Sequence, residues 1–168
     1  GSGGHLFPAI SLTETDKTFD YYFLIDNRIE NIIREKKLKY FKILSSSLKI
    51  NLLIPINIAK IIFGFLQSLF IFIKHKPNIV VGFGGYTSIP PIIAAKILKI
   101  KIIIHEQNAV MGKTNRLLSY LTKNIALTFK NTKYAKSCSI HTGIPVRPKK
   151  SSYSKSKLKR IFVVGGSQ

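Results

Sequence analysis

The chain has 168 residues, 45% of them hydrophobic, with 27 lysines and arginines against 7 acidic residues and a formal net charge of +20. That length sets one domain with little left over, and that apolar fraction excludes intrinsic disorder. One cysteine, Cys138, excludes an internal disulfide framework and suits a reducing compartment, while the charge predicts affinity for polyanions.

The elements follow in chain order. Residues 21–25 read as a buried strand, 29–37 as a polar helix with Ile32 and Ile33 inward, and 40–44 as a second strand. Residues 52–73 are strongly apolar and approach the ~20 residues that span a bilayer. A core helix and a helix lying on a membrane, with Lys60, Lys74 and Lys76 at head-group level, fit this segment equally; a true span fits less well. Residues 78–81 form a strand, 91–98 a helix, 101–104 a strand, 113–122 a helix and 125–128 a strand. Short apolar strands alternating with helices predict an α/β fold with a Rossmann-like parallel sheet. This domain covers residues 1–146, a basic linker covers 147–158, and 159–168 begin a second domain. A Rossmann unit places a strand ahead of the Gly1–Gly4 turn, so the expectation is a domain whose first strand lies outside the given residues.

Four motifs carry the chemistry. Gly1-Ser2-Gly3-Gly4-His5 fits a strand-to-helix turn, where bare backbone and a helix N-terminus suit a phosphate. Leu6 breaks the dinucleotide fingerprint, although Asp26 imitates that fold's ribose-binding acid and keeps an oxidoreductase reading open. Gly82-Phe83-Gly84-Gly85-Tyr86 repeats the same logic on a later strand, so two such turns at one sheet edge suit a pyrophosphate. His105-Glu106-Gln107-Asn108 sets four polar side chains at a strand's carboxyl end, where open α/β sheets bind ligands. Glu106 is the one carboxylate after residue 35, and it or a histidine suits proton acceptance. Gly143-Ile144-Pro145-Val146-Arg147 closes the domain, and Arg147 offers a planar fork of donors to a phosphate. His75 and His141 read as ordinary buried, hydrogen-bonded histidines, and the histidines and cysteine show no metal-ligand spacing. Zinc-finger spacing, aromatic RNA-binding motifs and basic heptads are lacking, so no nucleic-acid partner is expected.

Together, Gly3-Gly4-His5-Leu6-Phe7-Pro8-Ala9, Gly82-Phe83-Gly84-Gly85-Tyr86, His105-Glu106-Gln107-Asn108-Ala109-Val110, and Gly143 with Pro145-Val146-Arg147 resemble the MurG family of N-acetylglucosaminyltransferases. Gly165-Gly166-Ser167-Gln168 matches a fifth family motif. The resemblance implies the N-terminal half of a GT-B glycosyltransferase, truncated at both ends. It implies N-acetylglucosamine transfer from UDP-N-acetylglucosamine to the C4 hydroxyl of the muramyl sugar in lipid I, at the cytoplasmic face of the membrane. Carried over, Ser2, Gly3, Gly4, Asn108, Arg147 and Ser167 contact the donor, and Gly84, Gly85 and Tyr86 meet the acceptor pyrophosphate. His5 or Glu106 is the general base, with no metal or cofactor. The implied partners are UDP-N-acetylglucosamine, lipid I and an anionic membrane surface. Ser2 replaces the family's usual Thr and keeps a hydroxyl, whereas Ile144 replaces a usual Asn and removes a polar contact on the donor side. With most of a donor domain outside these residues, the chain alone is not expected to transfer sugar. Two other readings stay open: a related transferase acting on another lipid such as diacylglycerol, and a non-catalytic basic module.

Overall fold

The computed structural model describes residues 3–15, 17–47 and 54–146. The expected linker 147–158, the start of a second domain at 159–168, and Ser2, Arg147 and Ser167 lie outside them. The order is α1 (Gly3–Thr15), β1 (Phe23–Ile25), α2 (Glu30–Glu35), β2 (Tyr40–Lys42), α3 (Ile54–His75) and β3 (Ile79–Gly82). It continues with α4 (Ile89–Ile97), β4 (Lys101–Glu106), α5 (Lys113–Leu118), β5 (Ile125–Leu127) and β6 (Ile140–His141). Every strand pairing is parallel. That arrangement is the one predicted from short apolar strands that alternate with helices.

The strands form two sheets, β1-β2 and β3-β4-β5-β6. The edges of β1 and β3 away from their partners both border a slot of about 630 Å³, lined by Phe23, Leu24 and Ile25 on one side and Ile79 to Gly82 on the other. Neither edge pairs with another strand among the described residues.

The two sheets have separate cores. Leu6 and Ile10 of α1 pack with Ile25 and Ile33 beside the small sheet. Phe72, Ile92, Ala94, Ala95, Ile102, Ile104 and Leu118 form the larger core, in which α3 lies on α4. Three helices are followed by a lysine in the left-handed region, Lys37 after α2, Lys76 after α3 and Lys99 after α4, and the first and last close with a pair of hydrogen bonds. After α2, Leu38 N–H donates to Ile33 O and Lys37 N–H to Arg34 O; after α4, Ile100 N–H donates to Ala95 O and Lys99 N–H to Lys96 O. Lys37 and Lys99 have φ of 53° and 58°, where glycine is the usual residue. Their charges sit favourably at the negative helix ends.

One face of α3 buries Gly64, Ser68 and Phe72, four residues apart. The Ser68 hydroxyl donates to Gly64 O at 2.7 Å. The other face leaves Phe63, Leu66, Phe70 and Ile73 more than half exposed. Gly64 is required by proximity: a Cβ there would sit 1.8 Å from the Leu44 carbonyl oxygen. Because that neighbour is backbone, Gly64→Ala is expected to cost about 3 kcal/mol, a drop in Tm of roughly 10 °C by thermal melting. An unchanged Tm would mean that α3 does not pass over Leu44.

Candidate active site

The site forms where β3 and β4 end side by side. β3 runs into Phe83-Gly84-Gly85, with φ of 91° at Gly84 and 71° at Gly85. L side chains rarely adopt such angles, so the double glycine makes the turn possible. The Ser88 hydroxyl donates to Gly84 O at 2.7 Å and Ser88 N–H to Gly85 O at 3.1 Å, closing the loop onto α4. Tyr86 begins a short 3-10 turn, and the Arg28 guanidinium lies 4.5 Å from the centre of its ring.

Gly3 and Gly4 belong to the first turn of α1, so this segment is a helix start and not a loop ahead of one. The helix brings His5 over the second glycine turn. A Cβ on Gly84 would lie 3.3 Å from His5 Cε1, and one on Gly85 3.6 Å from His5 Cδ2. Those two carbons flank Nε2, so the Nε2 side of the His5 ring lies beside the glycine turn.

β4 carries the polar quartet, extending two residues further than its apolar run suggests because His105 and Glu106 pair with Ala126 and Leu127 of β5. Glu106 is 1% exposed. Its Oε1 accepts from Asn108 N–H and Asn108 Nδ2, both at 2.9 Å; its Oε2 accepts from Gly112 N–H at 3.0 Å and Asn115 Nδ2 at 2.8 Å. All four partners are uncharged donors. Asn115 links this carboxylate to the glycine turn: its Nδ2 also donates to His105 O, and its Oδ1 lies 3.4 Å from the Cβ position of Gly84. That Oδ1 is buried with no hydrogen-bond partner among the described residues. His5, Gly84, Gly85, Glu106 and Asn108 thus share one cluster. Of these only Glu106 is fully buried; His5, Gly84, Gly85 and Asn108 are each partly exposed.

Asp26 ends β1 and ties the small sheet to the same turn. Its carboxylate accepts from the Arg28 side chain and from Arg28 N–H, and the Thr87 hydroxyl donates to it at 3.0 Å. Burial alone would raise the Asp26 carboxyl; the Arg28 and Thr87 hydrogen bonds outweigh it and hold the carboxyl below the ordinary range. The residue that imitates a ribose-binding acid in the sequence is here a brace between two loops.

Sequence reasoning missed several contributors. Gln107 binds both His5 and His105, and Gly112 supplies a donor to Glu106. Gly143 supplies a carbonyl to His105 Nε2 at 3.0 Å. The polar quartet signalled the first; the backbone groups left no trace in side-chain pattern. His75 and His141 are exposed, unlike the buried reading given them: His75 packs on Phe41 and Tyr22, and His141 Nε2 contacts Thr128 O.

A glycine turn beside a glycine-bearing helix start, with a polar quartet at the carboxyl end of a parallel sheet, belongs to an α/β domain of the GT-B glycosyltransferase class. Residues 1–127 match the family described as Glycosyltransferase family 28 N-terminal domain, and the chain belongs to that family. It is similar to proteins named UDP-N-acetylglucosamine--N-acetylmuramyl-(pentapeptide) pyrophosphoryl-undecaprenol N-acetylglucosamine transferase. The Rickettsia canadensis protein is 34% identical over 100% of this chain and 50% of its own length. The Wolbachia protein from the Drosophila simulans strain is 38% identical over 100% of this chain and 49% of its own. The crystal structure of Acinetobacter baumannii MurG superimposes with a TM-score of 0.72 at 28% identity, covering 89% of this chain and 44% of that one. The chain spans about half the length of the curated relatives it matches.

Burial pushes the His105 imidazole below its ordinary value, against smaller opposing effects from the Gly143 carbonyl and Glu106. The unfolded chain takes up that proton near pH 6.5 while the folded chain resists, so protons favour unfolding. His105 therefore contributes stability above about pH 6.5 that is lost as pH falls below it. Urea midpoints measured from about pH 7.5 to 5.5 should fall, and His105→Gln should flatten that part of the fall. An identical slope in the variant would remove His105 as its source.

Proposed function

We propose that this chain is the acceptor-side half of an inverting glycosyltransferase of peptidoglycan synthesis. It acts with a donor-binding half to move N-acetylglucosamine from UDP-N-acetylglucosamine to the C4 hydroxyl of the muramyl sugar of lipid I. The observation that carries this reading is the His5 ring set beside Gly84 and Gly85, in one cluster with Asn108 and Glu106. Glycine amides accept close approach of a diphosphate, and a histidine beside them reaches the sugar that the diphosphate carries. His5 Nε2 removes the C4 proton, the freed oxygen attacks the anomeric carbon, and UDP leaves with the electrons of the broken bond. Glu106, with its four donors, braces the loop that presents Asn108, which leaves the base to His5.

Gly84, Gly85 and Tyr86, with Arg28 over the Tyr86 ring, take the acceptor pyrophosphate. Ser2, Gly3, Gly4, Asn108, Arg147 and Ser167 form the donor side. In a protein joining this half to a nucleotide-sugar-binding half, His5→Ala should lower kcat for transfer to lipid I about 10²- to 10⁴-fold, while Glu106→Gln should act chiefly on stability. Undiminished transfer by His5→Ala would sink the assignment of the base.

The same reading places the protein on the cytoplasmic face of the membrane through α3. This helix is long and apolar enough to cross a bilayer, with 17% of its most apolar window buried. Its packing against α4 through Gly64, Ser68 and Phe72 favours lying along the surface. Phe63 and Phe70 would enter the acyl boundary, while exposed Lys60, Lys74 and Lys76 meet anionic head groups. Binding to phosphatidylglycerol-containing vesicles should drop at least tenfold in Phe63→Ser/Phe70→Ser and weaken with salt. Equal binding by the variant would exclude this face.

A further inference from the structure

The quartet holds a hydrogen-bond relay whose direction can be deduced, because it is fixed at two points by groups that only accept. Gln107 Nε2 lies 3.0 Å from the backbone carbonyl of His105, so the nitrogen of that amide must face the carbonyl. Its oxygen then faces His5 Nδ1 at 2.9 Å, and His5 must carry its proton on Nδ1. The same Gln107 nitrogen lies 3.1 Å from His105 Nδ1, which must therefore be bare. At the far end, His105 Nε2 sits 3.0 Å from the Gly143 carbonyl, which again demands a proton on Nε2 and none on Nδ1. Two independent carbonyls thus give one answer. Burial favours the neutral form of His105 that this pattern requires.

We infer that Gln107 is a positioning residue that locks His5 in its Nδ1–H tautomer and so keeps Nε2 bare as an acceptor beside the Gly84-Gly85 turn, with His105 and the Gly143 carbonyl holding Gln107 in the required orientation. The inference rests on the proposed role of His5 for its catalytic meaning, but the tautomers stand apart from it. Free imidazole prefers its proton on Nε2, so an unassisted His5 would present a donor where an acceptor is needed. A neutral amide corrects this without bringing a negative charge to the ring, as a carboxylate partner would. Among the described residues, His5 Nε2 has no hydrogen-bond partner. The relay also runs from the first helix through β4 to Gly143, four residues before Arg147. The base's tautomer therefore depends on the place of the segment that leaves the domain.

Nitrogen-15 NMR of the histidine rings in the 168-residue chain tests this directly, since protonated and bare ring nitrogens resonate far apart. The wild-type chain at neutral pH should show His5 protonated on Nδ1 and His105 on Nε2. A His5 found mainly as Nε2–H overturns the proposal without any variant. Gln107→Met keeps the size and removes all three side-chain hydrogen bonds; His5 should then move mainly to Nε2–H while His105 keeps its Nε2–H. Gln107→Glu restores an acceptor for His5 and should retain its Nδ1–H. An unchanged His5 tautomer in Gln107→Met overturns the proposal. In the two-half protein, Gln107→Met should lower kcat for transfer at least tenfold, with KM for lipid I little changed and partial recovery in Gln107→Glu. If the tautomers behave as stated but kcat does not move, the relay is upheld and the role of His5 as base is what fails.

Discussion

The arrangement depends on one buried carboxylate. Glu106 sits at the end of β4 with both oxygens filled by uncharged donors from residues 108, 112 and 115. These donors span the whole loop between β4 and the middle of α5, so the loop wraps around a single anchor. Each buried donor left unpaired would cost about 1–3 kcal/mol, which makes the loop's path and the carboxylate's presence interdependent. Met111, at 1% exposed, fills the loop's interior against Ile125 and Leu127. Asn115, held by Glu106, then presses on Gly84 and thereby sets the distance between the polar quartet and the glycine turn.

The lopsided charge has a spatial counterpart. The ion pairs Arg28–Asp26, Arg34–Glu30, Lys39–Asp20 and Lys42–Glu30 all fall within the first 42 residues. From residue 43 to 146 the acidic side is Glu106 alone, and its partners are neutral. Among the described residues the lysines and arginines of this part far outnumber its single carboxylate, which is the condition for attracting an anionic surface or a diphosphate. Some lysines have a local reason that has nothing to do with partners. Lys37 and Lys99 occupy left-handed turns that glycine would fill with less strain, but their positive charges are favoured at the negative helix ends they follow.

Much of this was legible in the chain. Apolar runs alternating with helices announced the parallel sheet, and strands at 23–25, 79–82 and 125–127 fall inside or beside the segments expected. His105 to Asn108 announced a site because four polar residues directly after a buried strand are hard to explain by packing. The expected helix over 113–122 stops at Leu118, because Ser119, Tyr120 and Leu121 turn back on it with hydrogen bonds to Asn115, Leu117 and Leu118. β6, two exposed residues, carries no pattern that sequence could show. The tautomer relay was hidden for a different reason. Its direction is decided by the backbone carbonyls of His105 and Gly143, and every residue type has such a carbonyl. Likewise the pairing of Asp26 with Thr87 joins residues 61 apart, so only the fold reveals it.

The divided sheet explains why the site and the fold cannot be separated. No strand among the described residues joins β1 to β3, and the slot between them is bordered by backbone edges. What crosses from the small sheet and α1 to the larger sheet is a set of side-chain contacts, with Leu24 of β1 also packed on the larger core. His5 meets Gln107, Asp26 and Ser45 meet Thr87, Arg28 covers Tyr86, Leu44 N–H donates to Gln67, the Ser46 hydroxyl donates to Asn57, and Tyr22 and Phe41 pack on His75. Those of His5, Asp26 and Arg28 lie at the glycine turn or the polar quartet. A hydrogen bond in such a place does two jobs: it aligns a functional side chain, and it holds together two bodies that share no ladder. Loosening the small sheet would thus release His5 and the Asp26 brace together, before the core of the larger sheet, closed around Ile92 and Ile104, was disturbed.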